Sequence, residues 1–111
     1  MPVGVCSFDL NNLRRINNSM GHEKGDAYIR IFAELVREAV PAHYFVGRAG
    51  GDEFIAIMDG ADKEEMQRCL QLIRDRVDTY NAANPDFPVS YAVGISVSDL
   101  SLIHISEPTR H

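Results

Sequence analysis

Arg48-Ala49-Gly50-Gly51-Asp52-Glu53-Phe54-Ile55-Ala56-Ile57-Met58 is the stretch on which the reading of this chain turns. Two strand-like runs, 44–48 and 53–58, flank Ala49-Gly50-Gly51-Asp52. Paired glycines between such runs predict a hairpin whose tight turn uses the positive φ that glycine supplies. Phe54 to Met58 is apolar without alternation, which predicts a strand covered on both faces. The hairpin tip carries two adjacent carboxylates, Asp52 and Glu53.

Working outward, Val3, Val5, Cys6 and Phe8 predict a first strand over 1–8 that ends at Asp9. Residues 10–26 are polar and Asn-rich, with Leu13, Ile16 and Met20 spaced for one or two helical turns before a break at Gly21. Tyr28, Ile31, Phe32, Leu35, Val36 and Ala39 form the stripe of an amphipathic helix closed by Pro41. Asp62 and Glu65 have capping-box spacing at the head of a second such helix, whose apolar face is Met66, Cys69, Leu70, Ile73, Val77 and Tyr80. After a turn at Asn84-Pro85-Asp86, residues 89–97 predict a last strand interrupted by Gly94. The order β-α-β-β-α-β predicts an α/β sandwich with an antiparallel centre and helices packed on the sheet.

Composition narrows the function classes. The chain has 111 residues, of which 45% are hydrophobic and 24% charged, so a single globular core is expected and a disordered or disulfide-scaffold chain is not. A formal charge of −5 disfavours nucleic-acid partners and means that a phosphate ligand needs a metal or a local basic spot. The longest apolar stretch, 54–58, is far below the ~20 residues that span a bilayer, so no membrane contact is expected. Cys6 and Cys69 have no metal-ligand spacing and read as reduced core thiols of a cytoplasmic domain, and His43 as a surface residue. There is no internal repeat.

If the first strand neighbours the hairpin, Asp9, Asp52 and Glu53 meet at one sheet edge. Clustered carboxylates repel one another unless a cation intervenes, which points to Mg²⁺ or Mn²⁺. A merely solvated turn is the alternative from spacing alone.

Gly50-Gly51-Asp52-Glu53-Phe54, with Arg48 two residues ahead, resembles the signature of the GGDEF domains, the diguanylate cyclases. Phe8-Asp9-Leu10-Asn11-Asn12-Leu13-Arg14-Arg15-Ile16-Asn17-Asn18, followed by Gly21-His22 and Gly25-Asp26, resembles that family's first-strand block at the family's spacing. The resemblance covers about residues 3–97. It implies a palm-like sheet, similar to nucleotidyl cyclases and polymerases, on which a homodimer condenses two GTP to cyclic di-GMP, each subunit holding one GTP. Carried over by position, Asp9, the Leu10 carbonyl, Asp52 and Glu53 would hold Mg²⁺ or Mn²⁺. Asp52, Glu53 and Arg14 would be catalytic, with Arg14 where the family usually has Lys. Asn17, Asp26, His22, Gly50 and Gly51 would line GTP, Asp26 and Asn17 meeting the guanine. Two readings compete with an active cyclase: a catalytically silent GTP-binding regulatory module, and a fragment inactive by itself.

Departures from the family pattern are Asn11 and Asn18 where Asp is common, and Pro41-Ala42-His43-Tyr44 where many members carry an inhibitory Arg-x-x-Asp site. The helices with which the family opens and closes its domain have no counterpart here, so residues 1–99 are expected to be a partial domain. Residues 100–111, beginning Leu-Ser-Leu-Ile-His-Ile-Ser-Glu-Pro from position 100 onward, resemble a translated sequencing-library adapter and are expected to be a non-native tail.

Overall fold

The computed structural model describes residues 2–99, and the expected non-native tail lies outside them. Its elements are β1 (Pro2–Leu10), α1 (Leu13–Met20), α2 (His22–Ala39), β2 (Phe45–Arg48), β3 (Glu53–Asp59), α3 (Lys63–Ala83) and β4 (Tyr91–Asp99). The four strands pair antiparallel in the order β2-β3-β1-β4. This is the expected antiparallel-centred sandwich, with one refinement: the anticipated turns after β1 form a helix of their own, α1. β4 runs through Gly94 without a break.

β1 alternates strictly. Gly4, Cys6, Phe8 and Leu10 are buried while Val3, Val5, Ser7 and Asp9 are half-buried, because successive side chains point to opposite faces. β3 does the same, with Phe54, Ala56 and Met58 buried and Ile55 and Ile57 only half-buried. This corrects the expectation of a strand covered on both faces: the apolar run is continuous, but one face of it holds the core.

Helices α2 and α3 pack on that core face. Phe32 of α2 lies edge-on to Phe54 at 5.4 Å, 5.9 Å from Phe8 and 5.2 Å from Tyr91. Such aromatic pairs contribute about 0.5–1.5 kcal/mol each beyond the area they bury. α3 lays Met66, Cys69, Ile73 and Val77 on the sheet. Met66 comes so close to β1 that a Cβ at Gly4 would stand 2.5 Å from its sulfur. Cys6 and Cys69 are buried free thiols, as expected, and His43 is exposed, stacked 4.1 Å from Tyr44.

Gly21 joins α1 to α2 with φ 89° and ψ 165°, a conformation that non-glycine residues avoid. Its N–H donates to the Asn17 carbonyl at 3.0 Å and its own carbonyl accepts from the Gly25 N–H at 3.2 Å, so one residue ends one helix and starts the next. Among the described residues, no helix is long and apolar enough to cross a membrane.

Candidate functional site

Phe8-Asp9 on β1 and Glu53-Phe54 on β3 are the pairs that bring the candidate carboxylates together. Each phenylalanine drops into the aromatic core, so strand alternation turns the adjoining carboxylate to the opposite face. The register places Asp9 directly opposite Glu53. Leu10 donates its N–H to the Asp52 carbonyl at 2.8 Å, which brings the hairpin tip against the last residue of β1. Asp9, Leu10, Asp52 and Glu53, more than forty positions apart in sequence, thus share one end of the sheet.

The tip itself is tied down by Arg48. Its guanidinium donates to the Gly50 carbonyl at 2.9 Å and to the Gly51 carbonyl at 2.8 Å. The Ala49 and Gly50 N–H groups both point to the Glu53 carbonyl, at 2.8 and 3.3 Å. Neither Gly50 nor Gly51 adopts positive φ, contrary to the expectation for a tight turn. The reason is loop length: residues 49–52 all lie outside the strands, and a longer connection turns without left-handed residues. What the glycines provide is room. A Cβ on Gly51 would meet nothing within 4 Å, and one on Gly50 would touch only the Glu53 side chain, from 3.6 Å outward.

Among the described residues there is no group of three or more His, Cys, Asp or Glu side chains placed to hold a metal ion. The backbone gathers the expected carboxylates at one end, but they form no ready cage. The donor set, carboxylates plus the Leu10 carbonyl, is nevertheless the all-oxygen kind that suits Mg²⁺ or Mn²⁺.

The second group of expected residues lies on α1 and α2. Asn17 sits against the first turn of α2 so closely that its Oδ1 would be 1.8 Å from a Cβ at Gly25. Only glycine admits this approach, and Asp26 follows it directly, exposed. His22 and Arg14 are exposed as well, one helical turn before Asp26 and Asn17 respectively. The 430 Å³ groove between α3 and β4, lined by Leu70, Arg74, Asn81, Tyr91 and Val93 among others, contains none of the expected site residues.

Tyr28 is the contributor that sequence reasoning missed. Counted there as one more apolar residue of the helical stripe, it is wholly buried, and its hydroxyl donates to the Asn11 carbonyl at 2.8 Å and accepts from the Ser90 N–H at 3.1 Å. Asn11 in turn donates to Ser90 through its backbone N–H, to the carbonyl at 2.9 Å, and through its side-chain amide, to Oγ at 2.9 Å. Burial pushes the Tyr28 hydroxyl above its ordinary 10.0, so it stays a donor into the alkaline range. The signal was available: a tyrosine on a core stripe needs a partner for its hydroxyl.

Comparison with known proteins places this arrangement. Residues 1–105 match the family model described as "Diguanylate cyclase, GGDEF domain". A diguanylate cyclase of Vibrio cholerae is 31% identical over 103 residues, covering 93% of this chain and 31% of that protein. The structure of an EAL/GGDEF domain protein from M. capsulatus is similar at a TM-score of 0.77 and 34% identity, covering 89% of this chain and 65% of that one. That of the active GGEEF domain of a diguanylate cyclase from Vibrio cholerae is similar at a TM-score of 0.78 and 28% identity, covering 89% and 64%. The chain thus spans about a third of that curated relative and just under two thirds of those solved structures. With Asp9-Leu10 brought against the hairpin tip at Asp52-Glu53 in a sheet of that fold, and the family model matching residues 1–105, the chain belongs to the GGDEF family.

Proposed function

We propose that this domain serves a diguanylate cyclase, which joins two GTP into cyclic di-GMP and releases two pyrophosphates. The observation that carries the reading is the register of β1 on β3, with Asp9 opposite Glu53 and Leu10 bonded to Asp52. In the reaction each ribose 3′-oxygen attacks the α-phosphorus of the other nucleotide. Two phosphodiester bonds form and two α–β phosphoanhydride bonds break. The chain carries one copy of the site, so the symmetry of the product calls for two subunits facing one another, each with one GTP.

Asp9, Asp52, Glu53 and the Leu10 carbonyl would hold Mg²⁺ or Mn²⁺. When bound, such an ion supplies charge neutralisation for the triphosphate and makes the 3′-hydroxyl easier to ionise. The chain's own residues do the rest. The open space over Gly51 admits phosphates close to the backbone. Arg14 brings positive charge to the triphosphate, and its planar fork suits phosphate oxygens where a lysine would offer a point charge. Asp26 accepts the N1–H and N2–H of guanine as a pair, with the Asn17 amide held beside it by Gly25 and His22 one turn away. Adenine offers no such pair, and a base covering Asp26 without bonding it would strand a carboxylate away from water. The reaction runs in the cytoplasm, where GTP and free Mg²⁺ are available.

The test is product formation. The full-length protein carrying this domain should convert GTP to cyclic di-GMP in the presence of Mg²⁺, and Asp52→Ala should abolish turnover. A protein that binds GTP and Mg²⁺ yet forms no product would leave only a GTP-binding regulatory module.

A further inference from the structure

The bonds of the Tyr28 hydroxyl join three segments that the proposed chemistry keeps apart. Tyr28 stands two residues after Asp26 on α2. Its hydroxyl reaches the Asn11 carbonyl, one peptide beyond Leu10, and the N–H of Ser90 at the entry to β4. We propose that Tyr28 is a positioning residue, whose hydroxyl fixes the Leu10 end of β1 relative to the Asp26 end of α2; this rests on the metal and guanine assignments made above.

Leu10 would act as a ligand through its backbone, not its side chain. A side-chain carboxylate can be re-aimed by a change of rotamer, but a backbone carbonyl goes only where its chain goes. After Leu10 the chain leaves the sheet, and Asn12 takes a left-handed conformation at φ 71° before α1 begins. That exit is held by the Tyr28 and Ser90 bonds to Asn11, together with the Leu10 N–H bond to Asp52. Packing alone would not call for the hydroxyl. The Tyr28 ring already lies edge-on to Phe87 at 5.7 Å, and phenylalanine would fill the same volume. Removing the oxygen leaves a part-buried carbonyl and N–H without their shared partner, so the exit segment loosens while the core stays filled.

The experiment compares the 111-residue chain with Tyr28→Phe and with Tyr80→Phe, whose hydroxyl bonds the Phe87 carbonyl at 3.1 Å and so removes a comparable bond without touching the β1 exit. Mn²⁺ affinity is read by electron paramagnetic resonance, and folding by circular dichroism. Tyr28→Phe should weaken Mn²⁺ by about fivefold, through loss of the bond that holds the Asn11 carbonyl, while Tyr80→Phe leaves it within about twofold. Exchange of the Asn11 amide should quicken by about tenfold in Tyr28→Phe alone. If Tyr28→Phe does not fold, Asn11→Ala, which keeps the Asn11 carbonyl but deletes the other side-chain tie of the same exit, from Asn11 Nδ2 to Ser90 Oγ at 2.9 Å, should weaken Mn²⁺ in the same direction, and unchanged affinity there overturns the need to hold that exit. Unchanged Mn²⁺ affinity in Tyr28→Phe, or equal losses in both tyrosine variants, overturns the positioning role. A wild-type chain that binds no Mn²⁺, or binds it equally well as Asp9→Asn, overturns the metal assignment and the positioning role with it.

Discussion

Gly25 and Gly51 are both glycines of family motifs, and the structure gives them opposite physical reasons. A methyl group at Gly25 would fall 1.8 Å from Asn17 Oδ1, so the Asn17 side chain would have to move away from α2 to admit it. Gly25→Ala should therefore cost about 1–2 kcal/mol in chemical denaturation, the overpacking penalty less the helix-propensity gain, and should weaken GTP binding. Gly51→Ala meets nothing within 4 Å and no left-handed φ, so its stability should stay within about 0.5 kcal/mol of wild type. Equal stabilities for the two variants would contradict this account. That Asp9 and Glu53 meet was legible, because a strand ending at Asp9 and a hairpin tip at Asp52-Glu53 share one sheet edge if the strands are neighbours, whereas the parts given to Arg14, Asn17, His22 and Asp26 came from family resemblance alone. The hydroxyl of Tyr28 was not legible, because periodicity counts a tyrosine as apolar and is silent about where its oxygen ends.

At the scale of elements, the α3 start was read correctly but only half of its capping box forms. Asp62 accepts from the Glu65 N–H at 2.9 Å, whereas the Glu65 carboxylate turns to Arg68 at 2.6 Å. A cation one turn ahead outcompetes a neutral backbone N–H for that carboxylate. Asp62→Ala should cost about 1 kcal/mol, and Glu65→Gln much less, by thermal denaturation. A second element-level prediction concerns the approach of α3 to β1. Gly4→Ala drives a methyl group to 2.5 Å from the buried Met66 sulfur, so it should destabilise by about 1–3 kcal/mol unless Met66 is shortened with it. Strand and helix existence followed from periodicity, but the two-faced burial expected of β3 did not hold. A run of apolar residues reports only that polar groups are absent, and the layer above Ile55 and Ile57 is decided by topology rather than by the strand.

For the molecule as a whole, the thiols and phenols set the alkaline limit. Burial first, and the nearby Cys69 second, push the Cys6 thiol from 9.0 up to about 12. Burial also raises Tyr28 and Tyr91. The unfolded chain therefore loses these protons at lower pH than the folded one, and stability falls as pH rises from about 9 toward 12. The melting temperature should drop clearly between about pH 8 and pH 10.5, and native Cys6 should resist thiol reagents until the chain unfolds. A melting temperature flat across that range would contradict the buried-thiol account.

The acidic balance left a phosphate ligand in need of a metal or a basic spot, and the carboxylates gathered at one sheet end are where a divalent ion would meet that need. The most direct measurement is calorimetric titration of the chain with GTP and with ATP in Mg²⁺. GTP binding should weaken about tenfold or more in Asp26→Ala and in Asp52→Ala, with ATP at least as much weaker than GTP in the unaltered chain. Equal affinity for the two nucleotides, or GTP binding indifferent to both substitutions, would contradict the proposed function.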